Sequence, residues 1–249
     1  MSHPSVSLQL YSVRDALELD IPATIERVAA LGFTQVEASY KVLSRGPELL
    51  DAIKRNGLIS PTMTSPLLDA DYDAVFSTAV ALGAHTVVET FVPEEHWTTL
   101  DDVQSIADRL NAAAAKAADF DLRVGYHNHW WELEHRFDGR TALDQLVDRL
   151  DPRVVLEVDA YWVAVGGVDP VEYVASQADR VRFLHLKDGP VSRDNKQQVP
   201  AGQGSMPLAG IIAAATNLEV VVVEFDDYAG DVFEAISPAR EKLTELVSA

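Results

Sequence analysis

Val124-Gly125-Tyr126-His127-Asn128-His129-Trp130-Trp131-Glu132 changes character halfway along. It begins as the apolar run of a buried strand and ends in two imidazoles, an amide, two indoles and a carboxylate. Side chains two apart on a strand share a face, so His127 and His129 point the same way with Gly125 below them. Such an ending suits the floor of a small-molecule site. The plainer alternative is a surface hairpin carrying incidental histidines, and the flanking sequence decides between the two.

Moving outward, the same alternation recurs on both sides. Short runs rich in β-branched residues, at 5–11, 33–37, 58–64, 85–90, 122–129, 154–159, 181–187 and 219–225, read as strands. Each precedes an amphipathic stretch with helical spacing: 21–31, 47–56, 70–82, 100–120, 140–150, 170–178, 208–215 and 232–247. Gly32, Gly57 and Gly83 stand where helices stop, and Pro170 where one starts. Eight strand–helix pairs of roughly 30 residues predict an α/β fold, a (β/α)8 TIM barrel forming one domain over 1–249. A doubly wound open sheet is the runner-up. It would normally place a glycine-rich phosphate turn after strand one, where this chain has Ser12-Val13-Arg14-Asp15.

Composition narrows the function. The 249 residues carry a formal charge of −19 and no basic stripe, a field that repels a phosphate backbone, so no nucleic-acid partner is expected. No run approaches the length of apolar residues a bilayer requires, so no membrane association is expected either. The first residues lack the basic and apolar regions of a secretory signal, which makes the cytoplasm the default location. With no cysteine there is neither a thiolate metal site nor a cysteine nucleophile.

In a barrel of this kind the chemistry sits at the C-terminal ends of the strands. Strand five offers His127 and His129 there, strand six Glu157 and Asp159, strand seven His185 and Lys187, strand eight Glu224 and Asp226. Mixed imidazole and carboxylate donors suit Mn²⁺, Co²⁺, Fe²⁺ or Zn²⁺, with Mg²⁺ less suited to imidazole. Each residue also has a structural reading. Asp159 can cap the turn that follows it, His185 can be a satisfied core histidine, and Lys187 can pair with Asp226 or Glu157. Glu224, after an apolar run, is harder to place without a compensating cation or donors.

Several stretches in order carry a family resemblance: Gln9-Leu10-Tyr11-Ser12-Val13-Arg14-Asp15, Leu31-Gly32-Phe33-Thr34-Gln35-Val36-Glu37, Tyr126-His127-Asn128-His129, Asp159-Ala160-Tyr161-Trp162, His185-Leu186-Lys187-Asp188, Gly202-Gln203-Gly204 and Val223-Glu224-Phe225-Asp226. In this order the chain resembles the sugar phosphate isomerase/epimerase family, xylose isomerase-like barrels that include tagatose 3-epimerase-type enzymes and inosose dehydratases. The resemblance implies one divalent cation, Mn²⁺ first among the candidates, held by strands five to eight. Asp159, His185 and Glu224 match three of the ligands. In the epimerase branch the strand-five ligand is a glutamate; here His127 stands in its place, with His129 and Glu132 as alternatives.

The activity implied is isomerisation or epimerisation of a keto-sugar or related polyol ketone through a metal-stabilised ene-diolate. Water elimination from a keto-sugar is the alternative, and an endonuclease IV-like nuclease or an inactive sugar-binding barrel stand further off. Glu224 is the expected base, with Glu132, His129 or Lys187 serving the opposite face. Glu37, Lys187, Trp130 and Trp162 are the expected contacts of the carbohydrate substrate. Arg193 and Lys196 are candidates for a sugar phosphate, and His96-Trp97 for a lid. Related barrels dimerise or tetramerise, so a homo-oligomer is compatible with the resemblance.

Overall fold

A computed structural model describes residues 3–249. Eight parallel strands close into a barrel: β1 (Ser5–Gln9), β2 (Gln35–Ser39), β3 (Thr62–Thr64), β4 (Thr86–Glu89), β5 (Arg123–His127), β6 (Val155–Asp159), β7 (Val181–Leu186) and β8 (Val220–Val223). Each strand pairs with its sequence neighbours, and β1 closes the ring against β8, with Leu8 beside Val223. The single-domain barrel expected from the sequence is therefore the observed architecture.

Two apolar layers hold it together. The large outer core lies between the strands and the helices and includes Leu8, Val36, Val87, Val124, Leu156, Leu184 and Val221. The barrel lumen is filled separately by Val155, Phe183, Val220 and Val222. Beneath that layer Arg123 donates to both Glu219 oxygens, at 2.7 and 2.6 Å, and its Nε donates to Thr86. The lumen is thus plugged from below, and any cavity must open at the C-terminal rim.

Local signals explain the boundaries. Helix Leu100–Ala117 starts at a reciprocal capping box between Thr99 and Asp102, and helix Tyr72–Leu82 stops at Gly83, whose φ of 84° suits glycine. The structure adds short elements absent from the sequence reading. Helix Arg14–Leu19 follows β1 through a 3-10 turn over Leu10–Val13, helix Ala160–Val165 follows β6 directly, and helix Trp131–Glu134 begins just past the predicted strand 122–129. A small antiparallel ladder joins Arg136–Phe137 to Arg140–Thr141. Its turn residues, Asp138 and Gly139, have φ of 52° and 81°, the two-residue hairpin turn that an Asp-Gly pair encodes. Among the described residues no helix is long and apolar enough to cross a membrane.

Candidate metal centre

Cross-strand register brings the predicted ligands together. His127 lies opposite Glu157 and Asp159 opposite His185, so three neighbouring strands deliver inward side chains at almost one level. One donor atom from each of His127, Asp159, His185 and Glu224 lies within 4.8 Å of the others, and all four residues are buried. The converging contacts are His127 Nε2 to Asp159 Oδ2 at 3.6 Å and His185 Nδ1 to Glu224 Oε2 at 2.7 Å.

The two oxygens of Asp159 point different ways. Oδ1 accepts from the amides of Tyr161 and Trp162, both at 3.1 Å, and caps helix Ala160–Val165, while Oδ2 faces the centre. Asn128 fixes the strand ends against each other: its Oδ1 accepts the Asp159 amide and its Nδ2 donates to the Asp159 carbonyl.

A second layer sets the imidazoles. Glu157 Oε1 sits 3.1 Å from His127 Nδ1 and 3.1 Å from His185 Nε2, so one carboxylate anchors the outer nitrogen of both rings. Inward-facing Nε2 of His127 and Nδ1 of His185 are left for a cation, the arrangement by which metal-binding histidines are usually oriented. Glu37 Oε1 also faces His185 Nε2, at 3.0 Å, and accepts from Gln9 at 2.5 Å; its other oxygen accepts from Thr62. Glu37 is fully buried and absent from the cavity wall, so it supports His185 rather than contacting a substrate as the sequence suggested.

The charges of the cluster favour a divalent ion. Among the described residues, Asp159, Glu224 and Asp226 gather around one ammonium, Lys187, while Glu37, Glu157 and Glu224 gather around His185. Burial pushes Glu157 up to about 8, helped by the Glu37 charge. Burial also works against the His185 cation, but the Glu157 and Glu224 carboxylates outweigh it and hold that imidazole well above its usual value. His127 goes the other way: burial and the neighbouring His185 hold it well below, in the neutral form a metal requires. Two imidazole nitrogens, two carboxylate oxygens and a shared outer carboxylate fit a transition-series dication.

Several predicted contacts fall elsewhere. Lys187 is buried on Asp159 and Glu224, with Asp226 at 3.5 Å, and is absent from the cavity wall; the salt-bridge reading describes it better than the substrate-contact one. Glu132 is buried and committed, accepting from Tyr126 Oη and the His129 amide, both at 2.9 Å, which removes it as a base. Trp97 is core, donating to the Val92 carbonyl at 3.3 Å, so it forms no lid. Arg193 pairs with Glu134, lies 5.4 Å over the Trp130 ring and is absent from the cavity wall, so its charge is already partnered outside the cavity.

The cavity above the centre measures about 650 Å³. His127, His185 and Glu224 line its floor, while His129, Trp130 and Trp162 line one wall. His129 stacks on Trp131 with ring centres 4.3 Å apart and planes 7° from parallel. Its Nδ1 is buried towards Glu132, which leaves Nε2 as the nitrogen able to meet a substrate. Trp162 is only 1% exposed and contributes an edge of wall rather than a free stacking face. Tyr11 and Phe91, 51% and 59% exposed, stand at the mouth and are missed by the sequence reading; an aromatic just past the end of a strand is the available signal.

The chain is 27% identical over 173 residues to an inosose dehydratase from Geobacillus thermodenitrificans, covering 61% of this chain and 55% of that one. It thus spans about half the length of that curated relative, and 27% of another, from Geobacillus kaustophilus. Among solved structures, a sugar phosphate isomerase/epimerase from Parabacteroides distasonis superposes with a TM-score of 0.82 at 21% identity, covering 98% of this chain and 94% of that one. An IOLI protein with a binding zinc atom superposes at 0.73 with 15% identity, covering 98% of both chains. Residues 25–245 match the family described as xylose isomerase-like TIM barrel, and the chain belongs to that family.

Proposed function

We infer that this chain is a divalent-metal-dependent enzyme that enolises a keto-sugar or related polyol ketone, with isomerisation or epimerisation as the outcome. The observation that carries the reading is the convergence of His127, Asp159, His185 and Glu224 beneath a sugar-sized cavity whose floor includes His127, His185 and Glu224. The zinc named in the IOLI structure supports a metal at a site of this fold. When bound, a dication supplies Lewis acidity that makes the carbon beside a ketose carbonyl acidic. Glu224 lies on the floor, and Lys187 and His185 hold its carboxyl well below the usual range against the effect of burial, so it stands ionised as the base. His129 Nε2, on the adjacent wall, holds or returns a proton, and the Trp131 stack fixes the plane of its ring. Trp130 presents apolar surface to the C–H side of the sugar, with only an edge of Trp162 beside it.

A second reading, loss of water from the keto-sugar, has its own support. The two proton-handling groups differ, one carboxylate and one imidazole, whereas symmetric epimerisation is best served by matched bases on both faces. The inosose dehydratase relatives point the same way. Incubation with Mn²⁺ and a panel of ketoses, 3-keto-sugars and keto-inositols in D₂O tests both. Metal-dependent deuterium uptake that is lost in Glu224→Gln supports enolisation, and a new enone product assigns the dehydratase branch. No exchange and no product with any member would overturn the proposal.

A further inference from the structure

Lys187 holds the two oxygens that a metal would use. Its ammonium contacts Asp159 Oδ2, the oxygen facing His127 Nε2, and Glu224 Oε2, the oxygen facing His185 Nδ1. The side chain is buried and reaches no solvent, so the charge cannot leave the cluster. A third carboxylate is within its range: Asp226 Oδ2 lies 3.5 Å away, fixed by a 2.8 Å hydrogen bond from Gln198, whose own oxygen accepts the Asp226 amide. A charge-assisted contact is normally about 2.7–2.9 Å, so under an ångström of motion would complete the Asp226 pair.

We propose that Lys187 is a resident counter-ion that competes with the divalent metal for Asp159 and Glu224, and that metal loading moves its ammonium onto Asp226. This rests on the metal-site reading above. A monovalent cation on two ligand oxygens repels an incoming dication and takes up lone pairs the dication needs. Asp226 offers a seat that relieves both effects while keeping the buried ammonium paired, as burial demands. Metal affinity is then set by a balance between two carboxylate seats for one lysine, and the same lysine keeps the acidic cluster folded without metal.

Three measurements on the purified chain test this. Calorimetric titration of chelator-stripped protein with Mn²⁺ is expected to show tighter binding in Lys187→Met, on the order of tenfold or more. The thermal midpoint of metal-free Lys187→Met is expected to fall below wild type and to recover more on adding Mn²⁺. If metal-free Lys187→Met fails to fold, Lys187→Gln purified with Mn²⁺ gives the affinity by chelator competition. Crystals with and without Mn²⁺ are expected to place Nζ on Asp226 when loaded and on Asp159 and Glu224 when stripped. Unchanged Mn²⁺ affinity in the Lys187 variants, or an ammonium still bridging Asp159 and Glu224 beside a bound ion, overturns the inference while leaving the metal site intact. Absence of Mn²⁺ binding in wild type instead overturns the metal-site reading itself.

Discussion

Replacing Glu157 by alanine isolates the contribution of the layer behind the ligands. Its Oε1 is the hydrogen-bond partner of His127 Nδ1 at 3.1 Å and one of two carboxylate partners of His185 Nε2, the other being Glu37 at 3.0 Å. Truncation therefore strips His127 of its anchor and leaves His185 half supported. A buried donor without an acceptor costs about 1–3 kcal/mol, and His127 bears most of that loss. At about 1.4 kcal/mol per decade this weakens metal binding by roughly ten- to a hundredfold, the range seen for outer-layer partners of metal-bound histidines. Glu157→Gln keeps an oxygen acceptor for one of the two rings, so it is expected between wild type and Glu157→Ala. Titration of chelator-stripped proteins with Mn²⁺ measures the series, with circular dichroism as the check on folding. If both folded variants bind within about twofold of wild type, the outer carboxylate does not orient the ligands, and the coupling between outer and inner partners is refuted at this site.

Other consequences are separable. His129→Gln is expected to lower the deuterium-exchange rate by about 10² or more while leaving Mn²⁺ affinity near wild type, since the ring moves protons and holds no ion in this account; a matching loss of affinity would contradict it. At the barrel base, burial pushes Glu219 up, yet the hydrogen bonds and charge of Arg123 outweigh it and hold the carboxyl below its ordinary value. A depressed folded-state pKa gives stability that is present above the unfolded value of about 4.3 and is lost as pH falls through the folded value. Denaturation of Glu219→Gln should therefore show a flatter acid limb and a loss of about 1 kcal/mol at neutral pH; identical pH profiles would refute the pairing. Gly166→Ala places a Cβ 2.5 Å from Leu133 Cβ and 2.8 Å from the Trp130 carbonyl, a clash expected to cost about 1–3 kcal/mol and to lower the midpoint by about 2–4 °C per kcal/mol. An unchanged midpoint in calorimetry would show that the wall beneath Trp130 is looser than described.

The fold was legible because a closed parallel barrel repeats one unit, so errors of up to four residues at a boundary leave the count intact. Strand residues 58–64 shrink to Thr62–Thr64, for example, without changing which strand follows which. The clustering of His127, Asp159, His185 and Glu224 was legible for a related reason. Alternation along a strand fixes the inward face, and in-register neighbours then put Asp159 beside His185. Side-chain commitment was not legible. Glu132 sits three residues beyond His129 and looked free, but the turn into helix Trp131–Glu134 sends it back to the His129 amide and Tyr126. Glu37 occupies a strand end as a substrate contact would, yet its level in the barrel puts it under His185. Glu157 appeared among the strand-six candidates, and only the cross-strand distances reveal that it serves two histidines at once.

The central claim is that His127, Asp159, His185 and Glu224 form a single cation site. Metal analysis of protein stripped with chelator, reloaded with Mn²⁺ and desalted measures it directly. One ion per chain is expected in wild type and none in an Asp159→Ala/His185→Ala double variant. A wild-type chain that retains no ion, or a double variant that retains one, would contradict it.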